Sequence, residues 1–136
     1  MNIILNINDF DYNKISFYNP IKNKVKKYEN FYKIIYNCKF YTITTLIFNI
    51  TLKDFIHIYN NGQYNIVFSR SLNEKLIKTE TDILKRIYHL NNNFICNNEL
   101  CNTNIVTKNK IYNIYLRIYG VWNKYNEIGL VYRFVY

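Results

Sequence analysis

The sequence predicts a mainly β fold with one principal helix, arranged as a small antiparallel barrel or a curled sheet. Segments rich in β-branched and aromatic residues recur along the chain with alternating polarity. A single stretch has helical periodicity, and residues 111–136 have the pattern of a strong β-hairpin. One helix can cover one open face of such a sheet, so a curled sheet closed by the C-terminal hairpin is the economical arrangement.

Length and composition suit one domain over residues 1–136. The chain is 49% hydrophobic, and its three glycines and one proline leave no room for a flexible linker. No apolar run is long enough for a membrane span. The N-terminus lacks the basic start and the long apolar run of a signal peptide, so we expect an intracellular protein that is not secreted.

The charge balance favours a polyanionic partner. Lysine and arginine number 18 against 9 acidic residues, a formal net charge of +9. The abundance of Asn, Ile, Lys and Tyr also fits a bias towards AT-rich codons, which would leave part of the lysine excess without a function. Composition does not decide between these two explanations.

The first two-thirds of the chain divide into short β segments and one helix. The predicted strands and turns are, in order, one or two strands within Ile3–Phe17, strands near 31–36 and 39–48 around an Asn37-Cys38 turn, and a strand near 63–69 after an Asn61-Gly62 turn. The predicted helix lies within residues 71–90, with Thr79 as its N-cap and Asp82 in its first turn. Residues 91–110 are expected to form a long loop.

The terminal hairpin separates two faces, because side chains alternate across a strand. The apolar face holds Tyr112, Ile114, Leu116 and Ile118 and continues to Trp122, and Asn113, Tyr115, Arg117 and Tyr119 lie opposite. Matching apolar faces pairs Leu116 with Phe134 and Ile118 with Tyr132 around a loop at residues 123–127. This register places Arg117 directly opposite Arg133, an unfavourable pair of like charges.

The polar face of the hairpin predicts a nucleic-acid-binding surface formed by Tyr115, Arg117, Tyr119 and Arg133. Guanidinium groups neutralise phosphates, and tyrosine rings stack on unpaired bases. A solvated face that merely suits amphipathic tyrosine and arginine is the alternative. A second candidate is the loop with Lys22, Lys24, Lys26 and Lys27, which either contacts phosphates or is simply solvated.

The sequence contains no catalytic constellation, so we predict a protein that is not an enzyme and needs no cofactor. There is no glycine-rich phosphate loop and no nucleophile elbow. His57 lies in an apolar run where a packed histidine is expected, and Asp9 with Asp11 suit a polar turn better than a metal site.

The cysteines predict reduced thiols rather than disulfides or a zinc site. Cys38, Cys96 and Cys101 are odd in number in a chain without a secretory signal. With His89 they would supply four zinc ligands, but their spacing matches no common zinc motif. No metal is therefore predicted.

Four stretches of residues 14–136 resemble the single-stranded-DNA-binding proteins of large nucleocytoplasmic DNA viruses, which are related to the OB-fold DNA-binding protein of short-tailed phages. The stretches are ISFYNPIKN, YKIIYNCKFYTITT, NNGQYNIVFS and YLRIYGVWNKYNEIGLVYRF, the last being the most specific through Gly120, Trp122, Gly129 and Leu130. The resemblance implies an OB-like barrel that coats unpaired DNA during viral replication or recombination, without catalysis, in the host cell. It also supports Tyr115, Arg117, Tyr119 and Arg133 as the binding face.

One departure concerns the C-terminus. Phage members end in an acidic tail that recruits partners, whereas this chain ends in RFVY without an acidic run. Recruitment through such a tail is therefore not expected, and RNA binding and a homodimer are left open. The alternative functions are a viral structural or assembly protein of the minor capsid β-barrel type and a regulator that binds another protein.

Overall fold

The computed structural model describes residues 3–22, 30–88 and 93–136 and confirms the predicted class, a mainly β fold with one principal helix. Its largest sheet is a curled half-barrel, in agreement with an OB-like curled sheet. The elements are, in chain order, β1 Ile4–Leu5, β2 Ile15–Phe17, β3 Ile21–Lys22, β4 Asn30–Asn37, β5 Thr42–Ile43, β6 Leu46–Thr51, β7 Phe55–Asn60, β8 Gln63–Phe68, α1 Arg70–Tyr88, β9 Ile95–Asn97, β10 Ile105–Thr107, β11 Asn113–Lys124 and β12 Glu127–Val135.

The long strand β11 organises the main sheet, whose path runs β1-β6-β11-β12-β9. One edge of β11 pairs with β6 over residues 113–118 and then with β4 over residues 120–123. Two partners that follow each other along one strand make the sheet bend around its interior. The short strands β2, β3 and β5 extend β4.

The core lies between the inner face of the main sheet and α1. Ile114, Leu116 and Ile118 are fully buried there, opposite apolar partners on β6. The helix contributes the buried residues Leu72, Leu76, Ile83, Leu84 and Ile87. Burial of each side chain of this size stabilises the fold by about 1.5–3 kcal/mol.

The helix begins earlier than predicted, and Thr79 does not cap it. Ser69 precedes the first turn, and its hydroxyl accepts a hydrogen bond from the backbone N–H of Leu72 at 3.1 Å. Thr79 is instead buried in the middle of the helix. The apolar spacing continues upstream through Leu72 and Leu76, so the upstream cap prevails over the internal Thr79 signal. No helix of the described residues is both long enough and apolar enough to cross a membrane.

A smaller sheet has the order β10-β8-β7. The predicted Asn61-Gly62 turn joins β7 and β8, with φ of 52° and 78° at its two residues, as a tight hairpin turn requires. One face of this sheet packs into the core through Phe55, Ile66 and Ile105. The other face, which we call the aliphatic face, exposes Ile56, Ile58, Val67 and Val106.

Two further predictions were wrong in part. The strand expected at 39–48 is broken at Thr44 and Thr45, because β5 pairs with β4 whereas β6 pairs with β11. The expected loop at 91–110 contains β9, β10 and a short 3-10 turn at Leu100–Asn102. Three-residue strands are too short for visible alternation, and their partners β12 and β8 are distant in sequence.

The C-terminal hairpin ends in a turn tighter than the predicted loop. Lys124 pairs with Glu127, which leaves only two residues in the turn, and the first of them, Tyr125, has a φ of 54°. The buried amide of Asn123 stabilises this turn by donating to the carbonyl oxygens of Tyr125 and Glu127, at 3.0 and 3.1 Å. Its own oxygen accepts from Asn30 on β4. The turn is therefore fixed to the sheet beside it.

Candidate nucleic-acid interface

The predicted register of the terminal hairpin is confirmed. Leu116 pairs with Phe134, Ile118 with Tyr132, and Arg117 with Arg133. The two arginines therefore lie side by side on the face of the main sheet that is opposite the core, which we call the outer face. Tyr115 and Arg117 are half-buried there, and Arg133 is exposed.

Among the described residues, no carboxylate forms an ion pair with Arg117 or Arg133 of the outer face. Among the described residues the ion pairs are Arg70 with Glu74 and Lys78 with Asp82, both within α1. Neither Arg117 nor Arg133 takes part in them. Opposed like charges on neighbouring strands are unfavourable, so an anion bound between them would be stabilised by both.

A β-bulge at Tyr119 changes which side chains reach the outer face. The register passes from Ile118 opposite Tyr132 directly to Gly120 opposite Val131, so Tyr119 is the extra residue. Beyond the bulge Val121 and Asn123 point to the core, and Trp122 lies on the outer face. The prediction that Trp122 continues the apolar core face was therefore wrong, because the bulge shifts the alternation by one residue.

Two glycines allow aromatic rings to lie against the sheet on this face. A Cβ atom at Gly129 would lie 2.6 Å from the ring of Trp122, and one at Gly120 would lie 2.8 Å from Cε2 of Phe31. Each ring thus covers backbone where a side chain would otherwise stand. Phe31 is the direct cross-strand neighbour of Trp122, and Lys33 is the neighbour of Gly120.

The outer face therefore has more functional candidates than the sequence predicted. Phe31 and Lys33 were missed, and Trp122 was assigned to the wrong face. Glycine inside a strand often marks a bulge or a close approach, so Gly120 and Gly129 were the available signal. Tyr115, Arg117, Tyr119 and Arg133 keep their predicted place on the terminal hairpin.

A small cavity lies beside Arg117 at the β1 edge of the outer face. It has a volume of about 180 Å³ and is lined by Ile4, Ile47, Tyr115 and Arg117. Ile47 is the cross-strand neighbour of Arg117 and is only 3% exposed, although it lies outside the core cluster. In the described part of the chain, Nε of Arg117 is the buried side-chain polar atom without a hydrogen-bond partner.

Most of the lysine-rich loop lies outside the described residues. Lys24, Lys26 and Lys27 lie outside the described residues. Lys22 ends β3 and pairs with Asn30 on β4, next to the strand position of Phe31. Contact between this loop and phosphates therefore stays a prediction.

A second polar cluster surrounds Glu80 inside the fold. Glu80 is 2% exposed, and its carboxylate accepts hydrogen bonds from the backbone N–H groups of Glu99 and Leu100. Burial raises the pKa of this carboxyl, and these two hydrogen bonds oppose that effect in part. Burial, followed by the nearby Glu80 charge, also raises the pKa of the Cys101 thiol, whose Sγ donates to the carbonyl oxygen of Asn73.

The hydrogen bonds of this cluster explain it as a structural feature of the fold. The hydroxyl of Tyr132 lies 2.6 Å from Thr103 Oγ1 and also donates to the carbonyl oxygen of Glu99. These contacts connect α1, the 99–103 segment and β12. A raised thiol pKa also lowers the thiolate fraction, which is the opposite of what a nucleophile requires.

The remaining candidate residues have local contacts. Nε2 of His57 accepts from the backbone N–H of Ile111 at 3.0 Å. Asp11 caps a short 3-10 turn by accepting from the N–H of Asn13. Within the described residues no group of three or more His, Cys, Asp or Glu side chains is placed to hold a metal ion, and the three cysteines are free thiols. His89 lies outside the described residues.

The fold and this site together define a mainly β protein with a curled sheet whose outer face is aromatic and cationic. Comparison with protein-family models, curated proteins and solved structures finds no match. The resemblance to viral single-stranded-DNA-binding proteins therefore stays a prediction from the sequence.

Proposed function

We propose that this protein binds single-stranded nucleic acid, DNA in the first instance, on its outer face and catalyses no reaction. The observation that carries the proposal is the combination of Arg117 beside Arg133 with the rings of Phe31 and Trp122 on the same sheet face. The arginines would neutralise phosphates, and the rings would stack on unpaired bases. Stacking contributes about 1–3 kcal/mol per base and tolerates any sequence.

The position of the glycines supports this proposal. Phe31 and Trp122 lie over Gly120 and Gly129, so their rings already lie against the backbone of the sheet. A preorganised ring loses little side-chain entropy when a base stacks on it. The resemblance in sequence extends the proposal to a role in coating unpaired strands during viral replication or recombination.

The only tryptophan of the chain provides a direct test. Oligo(dT) should quench the fluorescence of Trp122 when excitation is restricted to wavelengths at which tyrosine does not absorb. Anisotropy of a labelled oligo(dT) should report the same affinity, and this affinity should fall as salt rises, because neutralised phosphates release counterions. Absence of salt-sensitive binding at low ionic strength would exclude the proposal.

Variants locate the surface. Arg117→Ala combined with Tyr119→Ala should weaken binding several-fold while the circular dichroism spectrum stays unchanged. Lys85→Gln, at an exposed position near the end of α1, is the matched control for loss of one positive charge. If the double variant binds as tightly as the control, the outer face is not the binding surface and the Lys22–Lys27 loop becomes the next candidate.

The aliphatic face favours a second candidate function, assembly with another protein molecule. Ile56 is 60% exposed, and Ile58, Val67 and Val106 are also exposed on the same sheet face. Residues 55–68 contain no Asp, Glu, Lys or Arg, although strands at a sheet edge are usually protected by charge. Sedimentation of the parent and of Ile56→Lys tests this: assembly through this face predicts self-association or partner binding that the lysine abolishes.

A further inference from the structure

We propose that the cavity beside Arg117 is a subsite for one pyrimidine base of the bound strand. This proposal rests on the proposed function and adds a base preference to it. Nε of Arg117 would donate a hydrogen bond to a carbonyl oxygen on the edge of that base. The ring of Tyr115 and the side chains of Ile4 and Ile47 would enclose its faces.

The unpartnered Nε is the first argument. Buried side-chain donors almost always have a partner, and a guanidinium nitrogen left without one carries a desolvation cost. Nothing among the described residues accepts from Nε of Arg117. Its cross-strand neighbours are Ile47, which offers no acceptor, and Arg133, which offers only donors. Solvent does not reach this buried atom, so we infer that its acceptor is a bound molecule, which a rotation of the Arg117 side chain would admit.

The lining of the cavity selects the chemistry of that acceptor. Two isoleucines and one tyrosine ring form the walls, so a phosphate placed there would lose its water and gain only one charged neighbour. A neutral planar ring loses little on entering such a site. The volume of about 180 Å³ equals that of about six water molecules in the liquid, which suits one single-ring base.

The two arginines then have different tasks. Arg133 is exposed, and a phosphate can reach its whole guanidinium group. Arg117 lines the cavity and has one buried nitrogen, Nε, whereas its terminal nitrogens are not among the buried unpartnered atoms. One side chain would thus hold a phosphate with its outer edge and a base with Nε, which fixes the strand in one position on the sheet.

Three strands of equal length test the subsite on the parent protein: oligo(dT), oligo(dA) and an abasic strand with the same phosphates. The parent should bind oligo(dT) at least about 5- to 20-fold more tightly than the abasic strand, a difference that also includes stacking on Phe31 and Trp122. It should bind oligo(dT) several-fold more tightly than oligo(dA), whose bases are larger and carry no carbonyl. This comparison needs no variant, so it holds even if a substitution prevents folding.

Arg117→Lys keeps the charge and removes Nε. It should weaken oligo(dT) binding about 5- to 20-fold while changing abasic binding by less than about twofold. Arg133→Lys is the matched control and should affect both strands alike. Ile4→Trp should fill the cavity and reproduce the Arg117→Lys effect, with Ile77→Trp on the exposed side of α1 as its control.

Each outcome decides a different point. If Arg117→Lys weakens both strands equally, Arg117 contacts phosphate alone and the base subsite is wrong. If oligo(dT) and the abasic strand bind the parent with equal affinity, both the subsite and base stacking on Phe31 and Trp122 are wrong, and only phosphate binding on the outer face stands. If the parent binds none of the three strands, the proposed function fails and the subsite fails with it.

Discussion

Replacing Arg133 with glutamine should stabilise the free protein and weaken its complex with single-stranded DNA. Arg117 and Arg133 are directly opposed on β11 and β12, and neither takes part in the ion pairs of the described residues. Directly opposed like charges on a sheet are unfavourable, on a scale of about 0.2–1 kcal/mol per cross-strand pair. Glutamine removes the charge at an exposed position and keeps a polar side chain there.

The size of the thermal shift follows from chain length. Unfolding entropy is about 2.1 cal/mol/K per residue, so for this chain a gain of about 0.2–1 kcal/mol raises Tm by roughly 1–3.5 °C. The gain should be largest near 0.01 M salt, where the Debye length is about 30 Å, and nearly absent at about 1 M, where it is about 3 Å. On the binding side, loss of one phosphate contact should reduce the slope of log K against log salt by about 0.7.

Differential scanning calorimetry at both salt concentrations measures the first effect, and anisotropy titrations with oligo(dT) measure the second. Lys85→Gln also removes one positive charge, but from α1. It should leave the salt slope unchanged and should not raise Tm by the amount expected for Arg133→Gln. A stability gain that is equal at low and high salt would show that repulsion between Arg117 and Arg133 is not its cause. An unchanged salt slope would show that Arg133 does not contact the strand.

Three other changes have defined outcomes. Gly120→Ala would bring Cβ into a clash with the backbone oxygen of Tyr32, so it should destabilise the fold by about 3 kcal/mol or more. Gly62→Ala meets no atom within 4 Å and should cost about 1–2 kcal/mol through its positive φ; chemical denaturation compares the two variants. Gly129→Ala should displace the ring of Trp122, which can move, and so should lower oligo(dT) affinity more than stability, as titration and melting of the same sample would show. Glu80→Gln should remove a pH dependence of stability. Because the carboxyl pKa is raised in the folded state, the unfolding free energy of the parent falls as pH rises from the ordinary glutamate value of 4.5 through the raised folded value. Urea titrations over that pH window should therefore show the variant gaining stability relative to the parent.

The sequence predicted the register of the terminal hairpin because only one alignment buries both apolar rows. Ile114, Leu116 and Ile118 alternate with polar residues, and a slip by one position would bring Arg117 into the core. The bulge at Tyr119 was not predicted, since one extra residue in a strand leaves both flanking patterns intact. Because the bulge was missed, Trp122 was assigned to the wrong face of the sheet.

Long-range pairing limited the other predictions. Lys33 joins the outer face because β4 takes over from β6 as the partner of β11, and β6 begins only after the break at Thr44 and Thr45. No local pattern in residues 39–48 marks that break, because threonine and isoleucine favour strands on either side of it. The cavity beside Arg117 also needs β1, whose two-residue pairing with β6 is too short to predict.

The two proposed surfaces lie on different sheets, so strand binding and assembly do not compete for the same residues. Copies of a chain with a net charge of +9 repel each other, which disfavours contact through the aliphatic face of β7, β8 and β10. A bound strand neutralises part of this charge, and so does added salt. If both surfaces function together, self-association should therefore increase with oligo(dT) or with salt, and Ile56→Lys should abolish this increase while leaving the affinity of one molecule for a short strand unchanged. Sedimentation velocity with a strand long enough for two molecules distinguishes this linkage from independent binding, in which the second molecule binds no more tightly than the first.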